Sequence, residues 1–96
     1  MSLEPLHILG PDGVLVAESP VSLGRTRELY AQMVTGRGYD RKASAMQRQG
    51  RLATYAQFEG QEACQIGAVA PLQPADWLVA TYRDAAAMWA HGYPWL

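Results

Sequence analysis

A mainly α-helical chain with a short N-terminal β-hairpin is the fold class this sequence predicts, on three observations. Leu29, Tyr30, Met33 and Val34 recur at helical spacing inside a long segment without proline. An alanine-rich run at residues 85–90 follows Asp84 and precedes Gly92 and Pro94, which is the punctuation of a short helix. Near the N-terminus, Gly10-Pro11-Asp12-Gly13 separates two leucine- and valine-rich runs. Proline fixes φ and glycine accepts positive φ, so those four residues encode a turn between two strands.

The elements follow in chain order. Residues 6–17 form the expected hairpin, marginal unless it leans on something else. Ser19 or Ser22 caps a helix reaching about Gln49. Its stripe weakens at residues 35–38, where Gly36 and Gly38 predict either a kink or a very close helix contact. Arg37, Asp40, Arg41, Lys42 and Arg48 read as a solvated face with local ion pairs rather than an anion site, because acidic residues are mixed among them. Gly50 ends the helix. Tyr55 and Phe58 in the connector plug the core. A second helix at about residues 60–70 carries Ala63, Cys64, Gly67, Ala68 and Ala70, small side chains that predict burial against a neighbour. Pro71 and Pro74 stop it, residues 77–81 read as a short strand or extended segment, and Asp84 caps a last helix over residues 85–91. The first 18 residues are then an extension, and residues 19–96 a single helical domain.

Composition narrows the function classes. Apolar residues make up 49% and charged residues 18%, with a formal charge of −1, so the chain is globular and carries no charge excess for nucleic acid or a membrane surface. With 96 residues it holds one core but falls short of the usual size of an enzyme with a closed active site. The longest apolar runs are too short to cross a bilayer, and the N-terminus has no secretory pattern, so the expected location is cytoplasmic. Met1, Ser2 and Leu3 carry no weight in this reading. The lone Cys64 supports neither a zinc site nor a redox pair and is expected to be an inert core residue, since His7 and His91 are distant in sequence. Glu59 and Glu62 admit a general acid–base role, but negative side chains in a helix's first turn are favourable for electrostatic reasons alone. No catalytic residue and no metal ligand is assigned.

Tyr82 and Arg83 remain. A planar guanidinium delivered at the positive end of a helix suits a phosphate or diphosphate.

The order R-Q-G-R-L (48–52), E-G-Q-E-A-C (59–64), P-A-D-W-L-V-A-T-Y-R-D (74–84) and H-G-Y-P (91–94) resembles the N-terminal region of the alpha subunit of thiamine-diphosphate-dependent 2-oxo acid dehydrogenases. These are the decarboxylating components of the pyruvate and branched-chain complexes. The resemblance covers the chain from about Leu29 onward, and its specificity lies in several motifs at the right order and spacing. It implies an oxidoreductase that decarboxylates a 2-oxo acid and passes the acyl group to lipoyl groups, with a beta subunit and a lipoyl acyltransferase as partners. It implies that Tyr82 and Arg83 reach the diphosphate of thiamine diphosphate, and that the cofactor-activating glutamate belongs to the beta subunit rather than to Glu59 or Glu62. It leaves Thr81 and His91 without a fixed role and the choice between pyruvate and a branched 2-oxo acid open.

The family also carries an α/β thiamine-diphosphate-binding fold with a GDG motif and an asparagine holding Mg²⁺. The Asp-Gly of this chain, Asp12-Gly13, lies in the expected hairpin, and the sequence stops at Trp95-Leu96. The resemblance therefore implies a fragment whose own cofactor binding is weak or absent and which self-associates through its exposed apolar surface. The alternative is a non-catalytic helical oligomerisation or subunit-interaction module.

Overall fold

The computed structural model describes residues 3–95, so Ser2 and Leu96 lie outside the described residues. It contains three helices: α1 (Leu23–Arg48), α2 (Glu62–Val69) and α3 (Ala85–Ala90). Among the described residues there is no strand and no sheet, which corrects two expectations, the N-terminal β-hairpin and the α/β fragment.

The turn itself forms as its residues dictate. Gly13 sits at φ +81°, its N–H reaches the Gly10 carbonyl at 3.0 Å, and the Asp12 carboxylate accepts from Val14 N–H at 3.1 Å. The ladder beyond it stops at an isolated antiparallel bridge between Leu9 and Leu15, flanked by a Val16 N–H to Ile8 C=O bond of 2.9 Å. Leu6, Val14, Leu15 and Val16 are exposed and find no surface to pack on. A strand pair draws its stability from such packing, so the turn forms and the strands do not.

Ser22 is the N-cap of α1; its hydroxyl accepts from Arg25 N–H at 3.1 Å, while the Ser19 hydroxyl is spent locally on Val21. Gly50 at φ +72° follows the C-cap Gln49, and Arg51 N–H returns to the Met46 carbonyl at 2.9 Å, a left-handed glycine stop. α1 runs unbroken through the two glycines, and the close contact, not a kink, is what Gly36 provides. A Cβ there would lie 3.6 Å from the Phe58 ring and 3.8 Å from Ala86 Cβ.

The core is small and sits where the three helices meet. Phe58, Ile66 and Ala86 are buried at its centre, with Leu29, Met33, Tyr39, Trp89 and Trp95 packed around them. Phe58 plugs the core as its aromatic bulk predicts. Trp95 stacks on Tyr39 at 3.6 Å between ring centroids and on Trp89 at 5.0 Å, so this end of the described chain closes the core.

The small-residue face of α2 points outward, against expectation. Ala63, Cys64, Gly67 and Ala68 are exposed, and Glu62, Gln65, Ile66 and Val69 are buried. Cys64 is therefore not a core residue; its thiol faces the Gln61 carbonyl at 3.1 Å. Residues 77–80 form no strand, and Trp77 and Val79 are more than nine-tenths exposed. Tyr30 and Val34, read as part of the apolar stripe of α1, are exposed as well.

Candidate functional site

The connector between α1 and α2 is fixed by charge. Asp40 is 1% exposed on the core side of α1, not on a solvated face. Its carboxylate accepts from Tyr55 Oη at 2.8 Å, Phe58 N–H at 2.9 Å and Glu59 N–H at 3.2 Å. These bonds tie the connector to α1 and seat the Phe58 ring. Burial, and then the bond to Asp40, raise the Tyr55 phenol well above its ordinary value.

Beside Asp40, Arg37 forks onto the Glu62 carboxylate, its Nε on one oxygen and its Nη2 on the other at 3.1 Å. Gly60 N–H adds a third donor at 2.9 Å. The bond from Arg37 is the main reason the buried Glu62 carboxyl falls to about 2, with the Gly60 amide helping and desolvation opposing. Arg41 holds Glu59 at 2.9 Å and lowers its carboxyl in the same sense. Both glutamates are thus ionised partners of arginines, and the ion pairs of Arg37 and Arg41 span 18 to 25 residues, whereas Arg25 and Glu28 pair within one turn of α1. A carboxylate held as far down as that of Glu62 is no reservoir for a proton near neutral pH, so Glu62 has a structural role, and Glu59 is engaged in the same way by Arg41.

Tyr82 and Arg83 sit in the turn that opens α3. Tyr82 is 84% exposed, and the Arg83 guanidinium lies 5.6 Å from its ring centroid. Arg83 Nη1 donates to the Gln57 carbonyl at 2.5 Å, which anchors the side chain to the connector. The two predicted site residues are therefore adjacent in space as well as in sequence, at the surface.

The positive end of α3 is differently arranged from the expectation. Asp84 is the N-cap position but makes no capping bond; its carboxylate turns back to accept from the Thr81 N–H and hydroxyl, both at 2.8 Å, and the Thr81 amide lowers its pKa. The helix N–H groups of Ala86 and Ala87 instead meet Gln65 Oε1 from α2, at 3.1 and 3.2 Å. Those two donors are spent within the chain, so most of what the turn can offer an anion comes from the side chains of Tyr82 and Arg83. Thr81 is thereby a turn residue, and His91, the C-cap of α3, bonds the Asp76 carbonyl through Nε2 at 2.6 Å.

Sequence reasoning missed Asp40, Gln65 and the Arg37–Glu62 pair. A signal existed for Asp40, which lies four residues after Gly36 and seven after Met33, a carboxylate in core register. Among the described residues no group of three or more His, Cys, Asp or Glu is placed to hold a metal ion, and no helix is long and apolar enough to cross a membrane.

Comparison with known proteins places this geometry. The chain is 40% identical over 98 residues to the 3-methyl-2-oxobutanoate dehydrogenase subunit alpha of Mycobacterium tuberculosis (strain CDC 1551 / Oshkosh), covering 98% of this chain and 27% of that one. It is 36% identical over 94 residues to the pyruvate dehydrogenase E1 component subunit alpha of Bacillus cereus, covering 95% and 25%. Against the same subunit of Acholeplasma laidlawii it is 49% identical over 57 residues, covering 59% and 16%. The chain thus spans about a quarter of the length of the first two of these relatives. No solved structure matches it significantly. The family model described as "Dehydrogenase E1 component" matches residues 30–96, a span that includes α2, α3, the Tyr82-Arg83 turn and most of α1, and the chain belongs to that family.

Proposed function

We propose that this chain is the part of a 2-oxo acid dehydrogenase alpha subunit that lends Tyr82 and Arg83 to the diphosphate of thiamine diphosphate, in the decarboxylating component of a cytoplasmic complex. The reading is supported by the family match over residues 30–96 and by relatives named as pyruvate and 3-methyl-2-oxobutanoate dehydrogenase alpha subunits. The observation that carries it is the juxtaposition of an exposed phenol and a half-buried guanidinium on one braced turn, with Arg83 anchored to Gln57. Arg83 supplies a fixed positive charge and fork-shaped donors, and the Tyr82 hydroxyl supplies one more donor to the same oxygens.

The cofactor, when bound, stabilises the carbanion formed as a 2-oxo acid loses CO₂. The residues described here fit the diphosphate and not its Mg²⁺, for which they offer no ligand cluster. Binding by this chain alone is accordingly weak or absent, because the metal is the largest local charge of such a site. The beta subunit and the lipoyl acyltransferase are the proposed partners.

Calorimetric titration with Mg–thiamine diphosphate tests the assignment. In the protein purified as it occurs in its own cells, with any subunits that accompany it, Arg83→Ala weakens binding at least tenfold. Unchanged affinity in that variant overturns the reading.

A second reading, an interaction module, is favoured by the surface. The chain exposes 7521 Å². A compact protein of its mass exposes about 5,400 Å². Its radius of gyration is 15.7 Å. Roughly 12–13 Å is usual at this length. Sedimentation of this chain separates the two: a self-associated species without cofactor affinity favours the module.

A further inference from the structure

The start of α3 is held by a side chain from another helix. Gln65 is 5% exposed, and its amide is fully engaged. Oε1 accepts from Ala86 and Ala87 N–H, while Nε2 donates to the Arg83 carbonyl at 2.9 Å and to Gln61 Oε1 at 3.3 Å. One planar group thus reads both sides of the same turn, the Arg83 carbonyl before α3 and the second and third amides inside it. The arrangement needs a donor and an acceptor on one rigid terminus. Glutamate lacks the donor, and methionine lacks the donor and keeps only a weak thioether acceptor at similar volume. Gln61, one turn earlier on α2, orients the amide so that nitrogen faces Arg83 and oxygen faces the helix.

Around that clamp the turn is fastened twice more. Asp84 Oδ2 gathers the Thr81 N–H and hydroxyl, and Arg83 Nη1 bonds the Gln57 carbonyl. The Arg83 backbone is therefore fixed through Gln65 on α2, and its side chain through Gln57 in the connector, so the guanidinium has one place to be.

We infer that Gln65 is a positioning residue for the Tyr82-Arg83 pair, a buried amide that fixes the Arg83 main chain against α2 so that phenol and guanidinium are presented together to a diphosphate. This rests on the proposed role of Tyr82 and Arg83. It adds a residue that touches no ligand and acts only through the turn it holds. Misplacing a binding group by about 1 Å is enough to weaken its contacts severely, even when every binding residue is still present.

The test uses Gln65→Met and Gln65→Glu in the protein purified with its accompanying subunits. Steady-state turnover of pyruvate or 3-methyl-2-oxobutanoate is followed as Mg–thiamine diphosphate is varied, at a temperature where circular dichroism shows the variants folded. The expected result is a rise of about tenfold in the KM for thiamine diphosphate, with kcat at saturating cofactor and the KM for the 2-oxo acid both within about twofold of wild type. Arg83→Ala, measured alongside, reports on the underlying assignment. If it weakens cofactor binding while both Gln65 variants leave the cofactor KM within twofold, the positioning role is wrong and the assignment stands. If Arg83→Ala changes nothing, both fall. Equal losses in kcat and both KM values, or variants whose cofactor affinity disappears only with their fold, overturn the inference by making Gln65 a general structural residue.

Discussion

Two polar seams hold this chain together, and they are built from opposite materials. Between α1 and the connector, continuing to the start of α2, the seam is ionic: Asp40, Arg37 with Glu62, and Arg41 with Glu59. Between α2 and α3 it is a neutral amide, Gln65, doing for a helix N-terminus what a capping serine or aspartate ordinarily does. The ionic seam fixes where Phe58 enters the core. The amide seam fixes where Arg83 leaves it. A charged seam responds to pH and salt, whereas an amide does not titrate, so the Gln65 clamp on the Arg83 main chain is itself indifferent to pH.

The largest break in that comparison comes from the ionic side. Asp40→Ala removes one acceptor from three donors and leaves the Phe58 amide buried without a partner. A loss of about 3–5 kcal/mol in urea unfolding is expected, from the lost charged hydrogen bonds and the unsatisfied donor. A loss below about 1 kcal/mol would show that the connector holds its place without the carboxylate.

Glu62→Gln is smaller and carries the pH signature. The folded-state pKa of Glu62 lies near 2, below its ordinary 4.5, and Glu59 is lowered in the same direction. A carboxyl depressed on folding stabilises above its unfolded value, and that stabilisation fades as pH falls from about 5 towards 2. The half-exposed Arg37 limits the cost of the substitution at neutral pH to about 1–2 kcal/mol. The acid limb of the stability profile flattens in Glu62→Gln and keeps its wild-type slope in Gln65→Met. Identical acid limbs in wild type and Glu62→Gln would remove the distinction between the seams.

Tyr55→Phe has the smallest effect, about 1 kcal/mol for one hydrogen bond to a carboxylate with partial solvent access. The sign at high pH is opposite to that of Glu62. The phenol is raised on folding, so its contribution is complete below about pH 10 and is lost as pH climbs towards the folded value. Alkaline unfolding monitored by circular dichroism is expected to be shallower in the phenylalanine variant.

Legibility from the sequence divides along the same line. Features set by nearest neighbours were readable: a serine cap at Ser19 or Ser22, the Gly50 stop, the Pro11-Asp12-Gly13 turn and the bulk of Phe58 for the core. The hairpin was not, because the same turn serves strands or a lone bridge, and what decides is whether Leu6, Val14 and Val16 find a surface. Small side chains on α2 predict a packing face, yet Gly67 and Ala68 are exposed while Glu62 and Gln65 are buried. A buried glutamate or glutamine contradicts every residue-type rule unless its partner is known, and those partners lie 18 to 25 residues away.

The Tyr82-Arg83 dipeptide was conspicuous in sequence, and its placement in a turn before α3 follows from Asp84, the alanines and Gly92. That the helix amides behind it are already occupied was decided only in three dimensions. The sequence by itself determined three helices, their stops and a family-specific order of motifs, since each depends on local φ/ψ preference or on short spacing. The tertiary structure decided which polar groups are buried and what they hold. A hydrogen bond between residues far apart in the chain has no local signature, and here such bonds fix both Phe58 in the core and Arg83 at the surface.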